Sequence, residues 1–266
     1  MFANIFAIRT GLAFGFDLYS TLRFDKVKIE FTGEVAFGHY SYPPRPPALC
    51  RRGPTRARID LTSIEHQELG RNRLVADKDT IEKETVLQAE SALWLELKRC
   101  LLTASNFGKV CKRRCNISSA PLSKTLLYSY SIGHLPAIQN GKIYEATALK
   151  QLEKQENIVI HKCGLFIDNE HFFLGASSDA VFSDGIIEIK CPKSAFCLHP
   201  DDAIKEKKIR MWKTIKNNVV LNKSHDWYYQ VQGQLYITKK DKCLFAVWTG
   251  SEHPLKTALI ERDDTF

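Results

Sequence analysis

Asp179, Glu188 and Lys190 put two carboxylates and one ammonium into a short, otherwise apolar stretch. Two carboxylates can hold a hard divalent cation such as Mg²⁺, which takes a few protein oxygens and fills its shell with water and substrate phosphate. A lysine beside them can meet an oxyanion or draw a proton from water. The alternative is a solvated outer face: side chains alternate along a strand, so Glu188 and Lys190 would share one side while Ile187 and Ile189 share the other.

Residues 174–192 read as a β-hairpin, with Asp179 closing the first arm, Ser183, Asp184 and Gly185 turning, residues 186–190 forming the second arm and Pro192 ending it. Residues 158–163 and 171–175 read as strands leading into it. A helix over residues 141–154 places Glu145 on the stripe of Ala148, Leu149 and Leu152, where a carboxylate is costly unless paired or metal-bound. Ser224 is expected to cap a helix over residues 225–237. Trp227, Val231 and Leu235 form its seam, and Gln230 and Gln234 lie one turn apart on a shared face, where buried amides need partners.

Upstream, a helix is expected from about residue 80 to 101, with Leu87, Trp94, Leu97 and Leu101 as its apolar stripe. Ser105 is placed to cap a short helix over residues 106–112. With Lys98, Arg99, Lys112 and Arg113 nearby, that helix start is a candidate phosphate site, or an ordinary capped turn with solvated bases. Residues 200–217 read as a lysine-rich helix that faces either DNA or solvent. Residues 243–248 and 257–260 read as closing strands.

With 38 Lys+Arg against 30 Asp+Glu, the 266-residue chain carries a net charge of +8, and its pI is near 9.0. The excess is clustered, which favours a polyanionic partner. Eight cysteines are too few for a disulfide scaffold, and their spacing argues against a structural zinc. Reduced thiols, no run of transmembrane length and an apolar N-terminus interrupted by Arg9 give the expectation of a nuclear or cytoplasmic protein, not secreted and without a membrane partner. Residues 1–79 read as an N-terminal extension with a strand-like patch at 26–31 and a Pro/Arg-rich linker at 42–58; residues 80–266 read as the functional domain.

An Asp, a hairpin and Glu-x-Lys resemble the PD-(D/E)xK nuclease core. Further motifs extend the resemblance in order: Trp94 with Lys98, residues 102–105 with Ser105, Gly141 with Glu145, residues 174–179, residues 187–192, residues 229–234 with Gln230 and Gln234, and residues 260–263. Together they are similar to the YqaJ-type viral recombinase family, relatives of phage lambda exonuclease.

The resemblance implies an α/β fold in which helices flank a mixed central β-sheet, with a restriction-endonuclease-like PD-(D/E)xK core. It implies a metal-dependent deoxyribonuclease, a 5′-to-3′ exonuclease on duplex DNA serving recombination or the processing of viral or mobile-element DNA. Asp179 and Glu188 would bind Mg²⁺ (or Mn²⁺) with the Ile189 carbonyl. Glu145 would aid a second ion, Lys190 would activate water or stabilise the transition state, and Gln230 would steady the site. Ser105, Lys98, Arg99, Lys112 and Arg113 would hold the 5′-phosphate. Beyond a duplex DNA end, the resemblance adds a homotrimer and a single-strand annealing protein as partners. The chain departs from the family where Ser178 and Ala180 flank Asp179 in place of Pro and Gly, and where Lys98 replaces an arginine. It ends soon after Asp263, where relatives continue into a closing helix. The first of these departures and that end favour an alternative: a catalytically weakened or inactive DNA-binding module derived from such a nuclease.

Overall fold

A computed structural model describes residues 78–266, except 115, 128–135 and 217. The expected N-terminal strand patch and Pro/Arg-rich linker lie outside the described residues. Along the chain come α1 (Lys78–Glu84), α2 (Ala92–Cys100), β1 (Leu102–Thr103), α3 (Phe107–Cys111), α4 (Ala120–Leu127), α5 (Pro136–Glu156), β2 (Phe166–Ile167), β3 (Leu174–Ala176), β4 (Ala180–Phe182) and β5 (Gly185–Lys190). They are followed by α6 (Pro200–Lys205), β6 (Trp212–Ile215), β7 (Asn218–Leu221), α7 (Asp226–Thr238), β8 (Lys242–Val247) and β9 (Lys256–Glu261).

The main sheet has the order β4-β5-β8-β9. Its outer pairs are antiparallel and its central pair, β5 with β8, is parallel. A parallel neighbour requires a long crossover, and α6, the β6–β7 ribbon and α7 supply it. Alternation along the strands gives the sheet two apolar faces. Ile186, Phe245 and Val247 pack with Val231 and Leu235 of α7, while Ile187, Ile189, Leu244 and Ala246 pack with Ala148 and Leu152 of α5. This is the expected α/β class, a mixed sheet with helices on both sides. A second sheet, ordered β1-β3-β2, carries the chain into the first.

Several elements differ from the sequence reading. The helix expected over residues 80–101 is two helices. The Thr85 hydroxyl bonds back to the Ile81 carbonyl at 2.6 Å, and Gln88 takes a left-handed backbone (φ 47°) before Ser91 caps α2 by accepting from the Trp94 N–H. Leu87, assigned to the apolar stripe, is 61% exposed. Residues 158–163 form no strand, only a bridge from His161 to Val181. Leu174–Ala176 joins the smaller sheet, so Asp179 opens the β4 arm and does not close an arm that began at Leu174.

The lysine-rich helix stops at Lys205. Lys207 reverses the chain with a left-handed backbone (φ 58°), and fully buried Ile209 and Met211 lead into the β6–β7 ribbon. Burial of those two side chains outweighs the helix propensity of the lysines around them. The cap of α7 is His225, whose Nδ1 accepts from the Trp227 N–H at 3.2 Å; Ser224 lies one residue too early.

Candidate active site

The register of β4 and β5, with Ala180 opposite Ile187, places Asp179 directly across from Glu188. The Asp179 N–H donates to the Ile187 carbonyl at 3.1 Å, and the Asp179 carboxylate accepts from the Ile189 N–H at 2.6 Å. Like charges facing each other across an antiparallel pair are destabilising, so this arrangement demands compensation.

Glu188 is 1% exposed, which removes the solvated-face reading. Its Oε1 accepts from the Lys190 ammonium and from Gln230 Nε2 at 2.6 Å; its Oε2 accepts from Gln234 Nε2, also at 2.6 Å. The two glutamines stand one turn apart on α7, which explains why a helix facing this core carries two amides. Gln234 is a site residue beyond Gln230; its spacing in the sequence was the signal.

Glu145 joins from the opposite layer. Asn140, early in α5, donates to the Cys191 carbonyl at 2.9 Å and ties the helix to the end of β5. Burial pushes the Glu145 carboxyl above its usual range; Glu188 adds to that, and Lys190 and Lys162 oppose it. Burial, then Glu188, drives the Asp179 carboxyl well above its ordinary value, with Glu145 adding and Lys190 and the Ile189 N–H opposing. Burial works against the Lys190 ammonium, but Glu188, Asp179 and Glu145 outweigh it and raise its pKa. The Glu145, Asp179 and Glu188 carboxylates and the Lys190 ammonium therefore influence one another electrostatically.

Among the described residues no three His, Cys, Asp or Glu side chains are already arranged around one point as a metal cluster. A Mg²⁺ ion does not require that: one or two carboxylates, with water and phosphate oxygens, suffice. The donor set fits such an ion. It consists of hard oxygens, and burial first, with the neighbouring carboxylates second, raises the proton affinity of Asp179 and Glu145.

The loop carrying Asp179 is pinned from several sides. Gln88 Nε2 donates to the carbonyls of Ser178 (2.8 Å) and Cys163 (3.1 Å), Trp94 Nε1 donates to Ser177 Oγ (3.1 Å), and Gln234 Nε2 also reaches the Ser177 carbonyl (3.3 Å). The Cys163 thiol, pushed up to about 12 by burial, donates to the Ser178 carbonyl at 3.3 Å. These bonds supply a rigidity that Ser178 and Ala180 do not bring themselves. The role of Gln88 was hidden in the sequence because it follows from a break in a segment that reads as continuous helix.

The expected phosphate-holding residues divide into two groups. Lys98 lies 3.9 Å over the Trp94 ring, beside the Asp179 loop through Ser177, and Arg99 next to it is exposed. Ser105 is exposed but caps nothing: it sits inside a 3-10 turn (Ala104–Asn106), and its hydroxyl pairs with Thr103 Oγ1 at 3.0 Å. The short α3 after it has no side-chain cap. Lys112 pairs with Asp226 at the start of α7, and with Arg113 it lines a groove of about 490 Å³.

An Asp/Glu/Lys constellation with a buried glutamate and half-buried partners, on a hairpin of a helix-flanked mixed sheet, is the arrangement of a PD-(D/E)xK-type protein. Residues 93–241 match the YqaJ-like viral recombinase domain. This span is more than half of the chain, which belongs to that family. No curated protein matches the sequence. The fold is similar to an alkaline exonuclease from Laribacter hongkongensis (22% identity, 64% of this chain and 82% of that one, TM-score 0.48). It is also similar to a phage-related exonuclease from Haemophilus somnus (15%, 62% and 85%, TM-score 0.42). The SOX protein solved in complex with DNA, from Kaposi's sarcoma-associated herpesvirus, is 12% identical over 76% of this chain and 69% of its own, with a TM-score of 0.45.

Proposed function

We propose that the chain is a Mg²⁺- or Mn²⁺-dependent deoxyribonuclease that degrades duplex DNA from 5′-phosphorylated ends, in recombination or in processing viral or mobile-element DNA. The observation that carries this reading is the facing pair Asp179 and Glu188, desolvated, with Glu145 near and Lys190 bonded to Glu188. Asp179, Glu188, the Ile189 carbonyl and Glu145 would hold the ion, which when bound supplies Lewis-acid stabilisation of phosphoryl charge. Lys190 holds a proton beside the carboxylates and meets charge that develops on a phosphate oxygen. Gln230 and Gln234 keep Glu188 oriented, and the bonds to Ser177 and Ser178 keep Asp179 facing it. Lys98 and Arg99 would hold the DNA phosphate, with net charge +8 favouring the polyanion. Family membership supports the same class of chemistry.

The test is digestion of duplex DNA with and without a 5′-phosphate, in Mg²⁺ or Mn²⁺, by wild type and Glu188→Ala. Cleavage by wild type alone, favouring phosphorylated ends, supports the proposal; equal cleavage by both proteins would overturn it. A second reading, a DNA-binding module with lost turnover, is favoured by one observation: both Glu188 oxygens are already satisfied by Lys190, Gln230 and Gln234. DNA binding by wild type without metal-dependent cleavage would establish that reading.

A further inference from the structure

On the α5 face of the main sheet, opposite the face that carries Glu188, lies a cluster of aromatic rings that the proposed chemistry does not use. Tyr144 stacks on Phe196 with centroids 5.3 Å apart and on Trp248 at 5.0 Å, each at 29° between planes, and Phe196 and Trp248 are 5.9 Å apart. The cluster meets the site through the main chain. Tyr144 immediately precedes Glu145 on α5, and the Trp248 N–H donates to the Lys190 carbonyl at 2.9 Å. Trp248 Nε1 donates to Gln151 Oε1 at 2.9 Å, which fixes the innermost ring.

The outermost ring is anomalous. Phe196 is 38% exposed, whereas every other Phe, Tyr and Trp described is buried or half-buried. Its backbone is held by rigid neighbours: a 3-10 turn (Lys193–Ala195) precedes it, and the Cys197 N–H donates to the Thr249 carbonyl at 2.6 Å. Lys193 and Ser194, in the same turn, are exposed. A fixed aromatic face next to a lysine, six residues beyond Lys190, has the chemistry of a single-strand platform: ring for base, ammonium for phosphate.

We propose that Phe196, backed by Tyr144 and Trp248, is a base-stacking subsite that receives a nucleobase of the strand entering the carboxylate centre, with Lys193 on its phosphate. This rests on the nucleic-acid reading above. Stacking on a ring that is already ordered loses little conformational entropy. Every base has a π-face, so the subsite positions the strand without selecting sequence.

The test uses the full chain in EDTA, where binding is read without cleavage. The probes are 5′-phosphorylated duplexes with a short single-stranded end, carrying one 2-aminopurine stepped through successive positions. Wild type should quench its fluorescence at one position. Phe196→Ala should lose the quenching and bind the single-stranded end roughly 5- to 100-fold more weakly. Phe196→Tyr should retain both, and Phe196→Leu, apolar without a π-face, should behave like Phe196→Ala. Unchanged quenching in Phe196→Ala, no quenching at any position, or full retention in Phe196→Leu would each overturn the subsite. Digestion in Mg²⁺ separates the two proposals: intact quenching without cleavage removes the nuclease reading and leaves the stacking one standing.

Discussion

Gln234 donates a 2.6 Å hydrogen bond to Glu188 Oε2, and both side chains are almost completely buried. No other hydrogen bond is described to that oxygen, so the amide is part of what makes a buried carboxylate tolerable. Gln234→Leu should therefore destabilise the protein by about 1–3 kcal/mol, the cost of leaving a buried acceptor unmet. Thermal unfolding with and without the substitution reads it. A melting temperature equal to wild type would show that water replaces the amide.

Glu188→Ala and Lys190→Ala should each lower the turnover of DNA by roughly 100-fold or more. Affinity for DNA should stay close to wild type, because phosphate contacts are spread across the surface. Filter binding in EDTA beside a digestion time course separates the two quantities. A parallel loss of affinity would mean that these residues hold the DNA and do not act on it.

Asp179→Asn removes one of two facing carboxylates. The variant should be as stable as wild type or more so without metal, since cross-strand repulsion is relieved. Wild type should gain melting temperature with millimolar Mg²⁺ or Mn²⁺, through binding that favours the folded state, and Asp179→Asn should gain much less. Equal metal-induced shifts would place the ion elsewhere.

Gln88→Ala deletes the donors to the Ser178 and Cys163 carbonyls. Cleavage should fall while DNA affinity holds, because the Asp179 loop loses a tether and no phosphate contact. Unchanged turnover would show that Trp94, Cys163 and Gln234 suffice.

Just beyond β2, Asp168 gives the acid limb of stability. Burial works against its ionised form, but the His171 N–H, the Lys239 ammonium at 3.0 Å and the Glu170 N–H outweigh it and hold its carboxyl below the ordinary value. A carboxyl whose folded pKa is depressed stabilises the fold above its unfolded pKa of about 3.9 and loses that contribution as pH falls through the lowered folded value. Asp168→Asn should be less stable than wild type at pH 7, and the gap should narrow as pH drops below about 4. Melting temperatures from pH 7 to 3 check the sign; a constant gap would show that the charge is immaterial.

Much of the centre was legible before any coordinates. Asp179, Glu188, Lys190 and Glu145 stand out in the sequence by type and spacing, and the family resemblance is what groups them, with Gln230, into one candidate site. Legibility failed where local signals compete with tertiary burial. The lysines around residue 207 favour helix, yet Ile209 and Met211 bury in the core and the chain reverses at Lys207 to take them there. Glu82 to Glu90 also favour helix, yet Thr85 and Gln88 spend their side chains on the backbone of segments about 75 to 90 residues away. Ser105 shows the reverse error: a hydroxyl before a helix is a common cap, and here the neighbouring Thr103 takes its hydrogen bond.

The connection between the two arms of the hairpin is only Ser183 and Asp184, with Ser183 in a left-handed backbone (φ 27°). This short link sets the phase of everything beyond it. Lengthening it so that the pairing slips by one residue would send Glu188 to the α5 layer and Ile189 toward the two glutamines, leaving the strands paired and the chemistry erased. This two-residue bend thus works as a vernier, and its length decides which side of the sheet carries charge.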